Sequence, residues 1–190
     1  MRFILAILLV SVTFTDTHPQ QVPPREIELK LLPVDVTDGV PTGFTFVLTN
    51  VSKEDLRVPP PNIDCSNPTP QGTLWLQESW VPLSGNGVGL GKGMGICDFG
   101  SVYPEQPVTL KELTRTWTML RPGESLRVTA SSKKLHYDFG RPGTYTFFAK
   151  YIPPQLSPDE ERLLSDSDIV IPRQTVTSPD QHYVKPPCQP

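Results

Sequence analysis

The tripeptide Arg-Pro-Gly occurs twice within Met119–Tyr151, at Arg121-Pro122-Gly123 and at Arg141-Pro142-Gly143. Each copy stands directly before an alternating run, Ser125–Ala130 after the first and Thr144–Tyr151 after the second. Proline presets φ for the first corner of a turn, and glycine accepts the positive φ that a type II turn needs next. Two turn-then-strand units in succession predict an antiparallel all-β domain. The 23 prolines are spread through the chain rather than massed in one linker. Proline lacks a backbone donor and belongs in loops and edge strands, so a long-helix fold is excluded.

Further strands follow from period-2 alternation. Glu26–Pro33 places Ile27, Leu29 and Leu31 on one face, and Phe44–Val51 does the same with Phe44, Phe46 and Leu48. Asp38-Gly39 and Pro41-Thr42-Gly43 form the connection between them. Leu56–Val58, Thr73–Val81 and Ile96–Tyr103 read as strands, and Val108–Leu120 carries Trp117 toward the first Arg-Pro-Gly. Ser157-Pro158-Asp159-Glu160 is a helix start, with Ser157 capping, Pro158 at the first helical position and Glu160 completing a capping box. That helix is expected to end near Leu164. Asp168–Thr177 reads as a final strand, with Pro172 marking an edge or a bulge. The pattern predicts an immunoglobulin-like (Ig-like) antiparallel β-sandwich of about seven to nine strands with one short helix.

Arg2 followed by the apolar run Phe3–Phe14 has the form of a secretory signal. The expected organisation is a signal peptide at 1–17, a disordered leader at 18–25, the sandwich at 26–177 and a Pro-rich tail at 178–190 with little to pack against. Localisation is expected to be secreted or periplasmic. Export permits disulfides, and Cys65 and Cys97 are the expected pair. Closing that loop contributes about 3–4 kcal/mol on the chain-entropy account. Cys188 is left as a free thiol, an intermolecular link or a bond back to the body. Net charge is −3, which argues against nucleic acid as a partner bound through bulk charge.

The order Leu48-Thr49-Asn50-Val51-Ser52, Leu120-Arg121-Pro122-Gly123-Glu124-Ser125, Pro142-Gly143-Thr144-Tyr145-Thr146 resembles Ig-like and fibronectin III-like exported domains. In outline it is also similar to the β-sandwich proteinase inhibitors of the BsuPI type. The resemblance covers roughly Phe44–Tyr151 and implies the fold more than an activity. A glycine-rich insert, the cysteines and a C-terminal extension depart from the inhibitor pattern, and no inhibitory residue is carried over.

Residues 85–95 read GNGVGLGKGMG, with glycine at every odd position. A dinucleotide fingerprint needs glycine at i, i+2 and i+5, and i+5 has the wrong parity. A P-loop built on Gly91-Lys92 fails because Asn86 and Gly93 occupy its other fixed positions. The run is therefore an excursion between strands or a recognition loop. Catalysis has little support. His136-Tyr137-Asp138 follows Ser131 and Ser132, but no nucleophile elbow precedes a helix. Cys65, Met94, Cys97 and His136 lack paired ligand spacing, so neither a metal nor another cofactor is expected.

Asn50-Val51-Ser52 is a glycosylation sequon in form, though Asn50 also suits a turn that closes the second strand. Trp75, Trp80 and Trp117 are candidates for a binding platform, with Trp80 expected to be the most exposed. Tyr145 or Tyr151 suits a tyrosine corner. The sequence thus predicts a non-catalytic protein that binds a protein or cell-envelope partner through Trp80, Asn86, Lys92 and Met94. A proteinase inhibitor or enzyme regulator is the alternative, and a hydrolase built on His136 comes third.

Overall fold

The computed structural model describes residues 25–62, 72–83, 92–94, 109–131 and 140–187. In chain order they form β1 (Ile27–Thr37), β2 (Val40–Asn50), β3 (Leu56–Val58), β4 (Pro61–Asn62), β5 (Gly72–Val81) and β6 (Lys92–Met94). Helix α1 (Leu110–Leu113), β7 (Thr118–Leu120), β8 (Ser125–Ser131) and β9 (Gly143–Ile152) follow. Helix α2 (Pro158–Ser165), β10 (Val176–Thr177) and β11 (Gln181–Lys185) complete the described chain.

The architecture is the all-β sandwich that the turn pattern implies. The front sheet has the order β1-β2-β8, and the small pair β3-β7 stands apart from it. In the back sheet, β9 pairs β5 on one side and both β10 and β11 on the other, while β4 and β6 pair the far edge of β5. All pairs are antiparallel except β4 with β5. Strands β1, β2 and β8 thus share one sheet, while β5, β9, β10 and β11 share the other.

Alternation decides which side chains fill the space between the sheets. Ile27, Leu29, Leu31, Phe44, Phe46 and Leu48 from the front meet Leu74, Leu76, Tyr145, Phe147, Ala149 and Tyr151 from the back. Phe147 lies 4.9 Å from Phe44 and 6.0 Å from Tyr183, so three rings from β2, β9 and β11 tie the sheets together.

The β1–β2 connection is tighter than the proline and glycine pattern suggests. Thr37 pairs Val40, leaving Asp38 at φ 51° and Gly39 at φ 79°, the two-residue I′ turn that matches strand twist. Pro41 is tolerated in β2 because it lies beyond the reach of β8, whose register stops at Gly43.

The two Arg-Pro-Gly copies differ. In the first, Glu124 N donates to Arg121 O at 2.9 Å and Gly123 has φ 83°, so it is the expected type II turn. In the second, Gly143 opens β9 opposite Lys185 instead of turning. Its missing side chain serves packing, since a Cβ there would lie 2.3 Å from Trp80 Nε1 and 2.6 Å from Val81 O. The tyrosine corner is Tyr145, whose hydroxyl donates to Arg141 O at 2.7 Å. Tyr145→Phe is expected to cost about 1 kcal/mol, the net worth of one such bond, measured as a lower urea midpoint with unchanged m.

Tyr151 behaves oppositely. It is wholly buried, and its hydroxyl has no hydrogen-bond partner among the described residues. Burial raises its pKa above the ordinary 10.0. Tyr151→Phe removes an orphan polar atom and is expected to stabilise by about 1 kcal/mol. Because the unfolded chain ionises this phenol first, wild-type stability falls as pH rises above the ordinary value. That fall is expected to shrink in Tyr151→Phe, checked by urea titrations at neutral and alkaline pH.

Helix α2 begins as its sequence says. Ser157 Oγ accepts from Glu160 N, and Glu160 Oε2 accepts from Ser157 N at 2.7 Å. A second helix, α1, is an addition to the single one expected, and it has its own capping box between Thr109 and Glu112. Leu113, Trp117, Leu164 and Ile171 form a satellite core under these helices.

Two expectations near the C-terminal end are corrected. Residues 168–175 are not strand; only Val176–Thr177 joins the sheet. Ile171 turns into the satellite core, Arg57 N donates to Val170 O, and Pro172 has no donor to extend a ladder. The stretch from Ser178, read as a tail with little to pack against, supplies β11, which pairs β9 from Gly143 to Phe147. Between Thr177, opposite Lys150, and Gln181, opposite Phe147, three residues face two, so Ser178-Pro179-Asp180 is a β-bulge. Ser178 holds it in register: its N donates to Ala149 O at 2.8 Å and its Oγ accepts from Ala149 N at 2.9 Å. The bulge also absorbs Pro179, which has no N–H to offer β9.

Candidate outer-face binding site

The outward side chains of β5 and β9 are brought into rows by their register. Trp75 stands opposite Lys150, Gln77 opposite Phe148, and Ser79 opposite Thr146. On the far side of β9, Thr177 and His182 extend the first and third rows. Trp75, Gln77, Phe148 and Lys150 are half-buried, so their ring faces and polar tips are partly presented to solvent. Trp75 Nε1 donates to Gln77 Oε1 at 3.3 Å, which holds the carboxamide beside the indole. Lys150 Nζ lies 5.5 Å from the centroid of Phe148, an arrangement that favours the cation and covers the ring. The result is an aromatic pair with an amide donor, an ammonium and hydroxyls around it, on rigid strands.

Of the residues expected to bind, Trp80 is placed on the opposite side of β5. It packs against the main core, its Nε1 is buried over Gly143, and the Arg141 guanidinium sits 5.8 Å from its ring centroid. Trp117 is 4 % exposed and belongs to the satellite core. Trp75 is the outward tryptophan, and the parity of Thr73–Val81 contained that information: the even positions Leu74, Leu76 and Glu78 are buried and Trp80, half-buried, shares their side. Lys92 and Met94 lie in β6, paired with Glu78 and Leu76, so the end of the glycine-rich run is an edge strand and Gly93 lies opposite Gln77. Asn86, Cys65, Cys97, Cys188, His136, His18 and the signal segment fall outside the described residues, as does the Ile96–Tyr103 strand.

Asn50 is 0 % exposed and fully engaged. Its Nδ2 donates to Glu54 O and Leu120 O, both at 2.8 Å, and its Oδ1 accepts from Ser52 N and Ser52 Oγ. Its backbone N donates to Glu124 O and its carbonyl accepts from Gly123 N. A side chain with every donor and acceptor used inside the fold has the turn-closing role, not that of a glycan acceptor.

His182 Nδ1 lies 2.9 Å from Thr146 Oγ1, but among the described residues no carboxylate hydrogen-bonds that ring. Among the described residues no group of three His, Cys, Asp or Glu could hold a metal ion, and no helix is long and apolar enough to cross a membrane. No family model matches the chain, and neither a curated protein nor a solved structure matches it.

Proposed function

We propose that the protein is an exported, non-catalytic β-sandwich that binds a protein or cell-envelope partner through the outer face of its back sheet. The observation that carries this reading is the half-buried set Trp75, Gln77, Phe148 and Lys150, held on two rigid strands beside the end of the glycine-rich run. Aromatic side chains with polar tips supply contact area at low entropic cost, and the adjoining loop supplies adaptable contacts. Arg2 with the apolar run behind it supports export. Replacing Trp80 by Trp75 at the centre of the surface keeps the loop and moves the anchor to the side that faces out.

A photo-crosslinking residue at Gln77, compared with one at Thr45 on the outer face of the front sheet, tests the assignment. The expected result is a discrete adduct from Gln77 and none from Thr45, lost when Trp75→Ala and Phe148→Ser are added. Equal labelling from both positions, or none from either, would sink it. A panel of fluorogenic proteases separates this reading from a proteinase inhibitor, since a binder of the proposed kind leaves each protease at full rate.

A further inference from the structure

We infer that the β9 edge from Gly143 to Phe147 is an exchange site that accepts β11 from a second copy of this chain. In the monomer the site is filled by the chain's own β11, and its shape is fitted to that segment. Tyr183 enters between Phe44 and Phe147, at 6.3 Å and 6.0 Å between ring centroids. The Val184 carbonyl rests on Gly39, where even a Cβ would come within 2.1 Å of the carbonyl oxygen. A foreign strand would need a tyrosine and a following carbonyl at these two places; a second copy has both by identity.

Three features of β11 make exchange accessible. None of its five residues is buried, whereas every second residue of its partner β9 is. It is therefore held mainly by the ladder, with the Tyr183 ring and the Thr146–His182 bond among its side-chain contacts. A segment with so few buried contacts opens at lower free energy than the strands behind it. The link to the rest of the sheet is the bulge, in which Ser178 stays clamped to Ala149 while Pro179 and Asp180 are exposed. Straightening those two residues redirects β11 away from its own β9 while leaving β10 paired. The stiffness of Pro179 favours an extended hinge over a compact one. Two copies that trade β11 keep every contact of the monomer and add only those at the crossing hinges, the condition under which domain swapping is a low-cost route to a dimer.

The test uses Thr146→Cys/His182→Cys in the full chain, since these positions are direct cross-strand partners. The protein is refolded across a concentration series up to the millimolar range, monomer and dimer are separated by size, and each pool is oxidised. The expected result is a dimer fraction that rises with concentration and runs as a covalent dimer on non-reducing gels, while the monomer pool runs as monomer. The two single-cysteine variants control for the native thiols. A dimer whose new disulfides are all intramolecular overturns the inference, and so does a failure to form dimer at any concentration. Oxidising the monomer before concentrating it is expected to abolish dimer formation, and persistence of dimer at the unlocked level would also overturn it.

Discussion

Asn50→Ala is expected to cost about 3–5 kcal/mol, enough to unfold a marginal domain of this size. The loss is that of several hydrogen bonds at once, and it is not softened by relaxation because the partners stay behind. Leu120 O is left without its donor inside the fold, and the Ser52 side chain and the Glu54 carbonyl lose the atom that closes their turn. The Leu120 bond ties the end of β2 to β7, so the damage spreads from one residue to a second strand, while the backbone bonds to Gly123 and Glu124 remain. Asn50→Asp is expected to be nearly as damaging, since it replaces two donors with a buried carboxylate oxygen facing two carbonyls. Ser52→Ala removes the sequon equally well but keeps both Asn50 donors, and is expected to cost about 1 kcal/mol. Urea midpoints of the three variants distinguish a structural hub from a glycan acceptor. Equal, small losses for all three would refute the hub.

Gly39→Ala is expected to cost about 2–4 kcal/mol. Part is the positive φ of 79°, about 1 kcal/mol for a residue with a Cβ. The rest arises because the added carbon meets the Val184 carbonyl at 2.1 Å, and a backbone atom in a ladder cannot swing aside as a side chain does. The strain is therefore delivered to β11 rather than to the hairpin that carries the substitution. Amide exchange is expected to accelerate at 181–185 by more than at β1 or β8, and a uniform acceleration would contradict this routing. Asp38→Ala, at φ 51°, is expected to cost about 1 kcal/mol.

Much of the fold is written locally. The alternation of Glu26–Pro33 and Thr144–Tyr151, the first Arg-Pro-Gly turn and the Ser157 cap all act over a few residues, and each is found where the sequence places it. Asp38-Gly39 was legible as the I′ hairpin itself, but Pro33 and Pro41 made the connection look longer than it is. What the sequence hid is non-local. Nothing near Gly143 announces that its hydrogen faces Trp80 from another strand. The Pro-rich composition around Gln181–Lys185 masks a strand whose partner lies over thirty residues earlier, His182 against Thr146. Of the candidate site, the placement of the tryptophans was legible in principle: Trp80, expected to be the most exposed, packs against the core because one side of β5 must face it, and Trp75 lies on the other side. Polar neighbours at Gln77 and Ser79 mark the same parity as Trp75.

The bulge at Ser178-Pro179-Asp180 has one more effect, on phase. In β10 the even residue Val176 points to the core and the odd residue Thr177 points out; in β11 the odd residues Gln181, Tyr183 and Lys185 point in. The extra residue is a half-period shift that lets one stretch of chain use opposite parities before and after it. A chain shortened by Asp180 would set Ser178 and Pro179 against Ala149 and Phe148 with no bulge, and would bring Gln181 opposite Phe147 and Tyr183 to the inner side as before. The extra residue thus breaks the numerical alternation of the chain while the inner and outer faces run on unbroken across the kink.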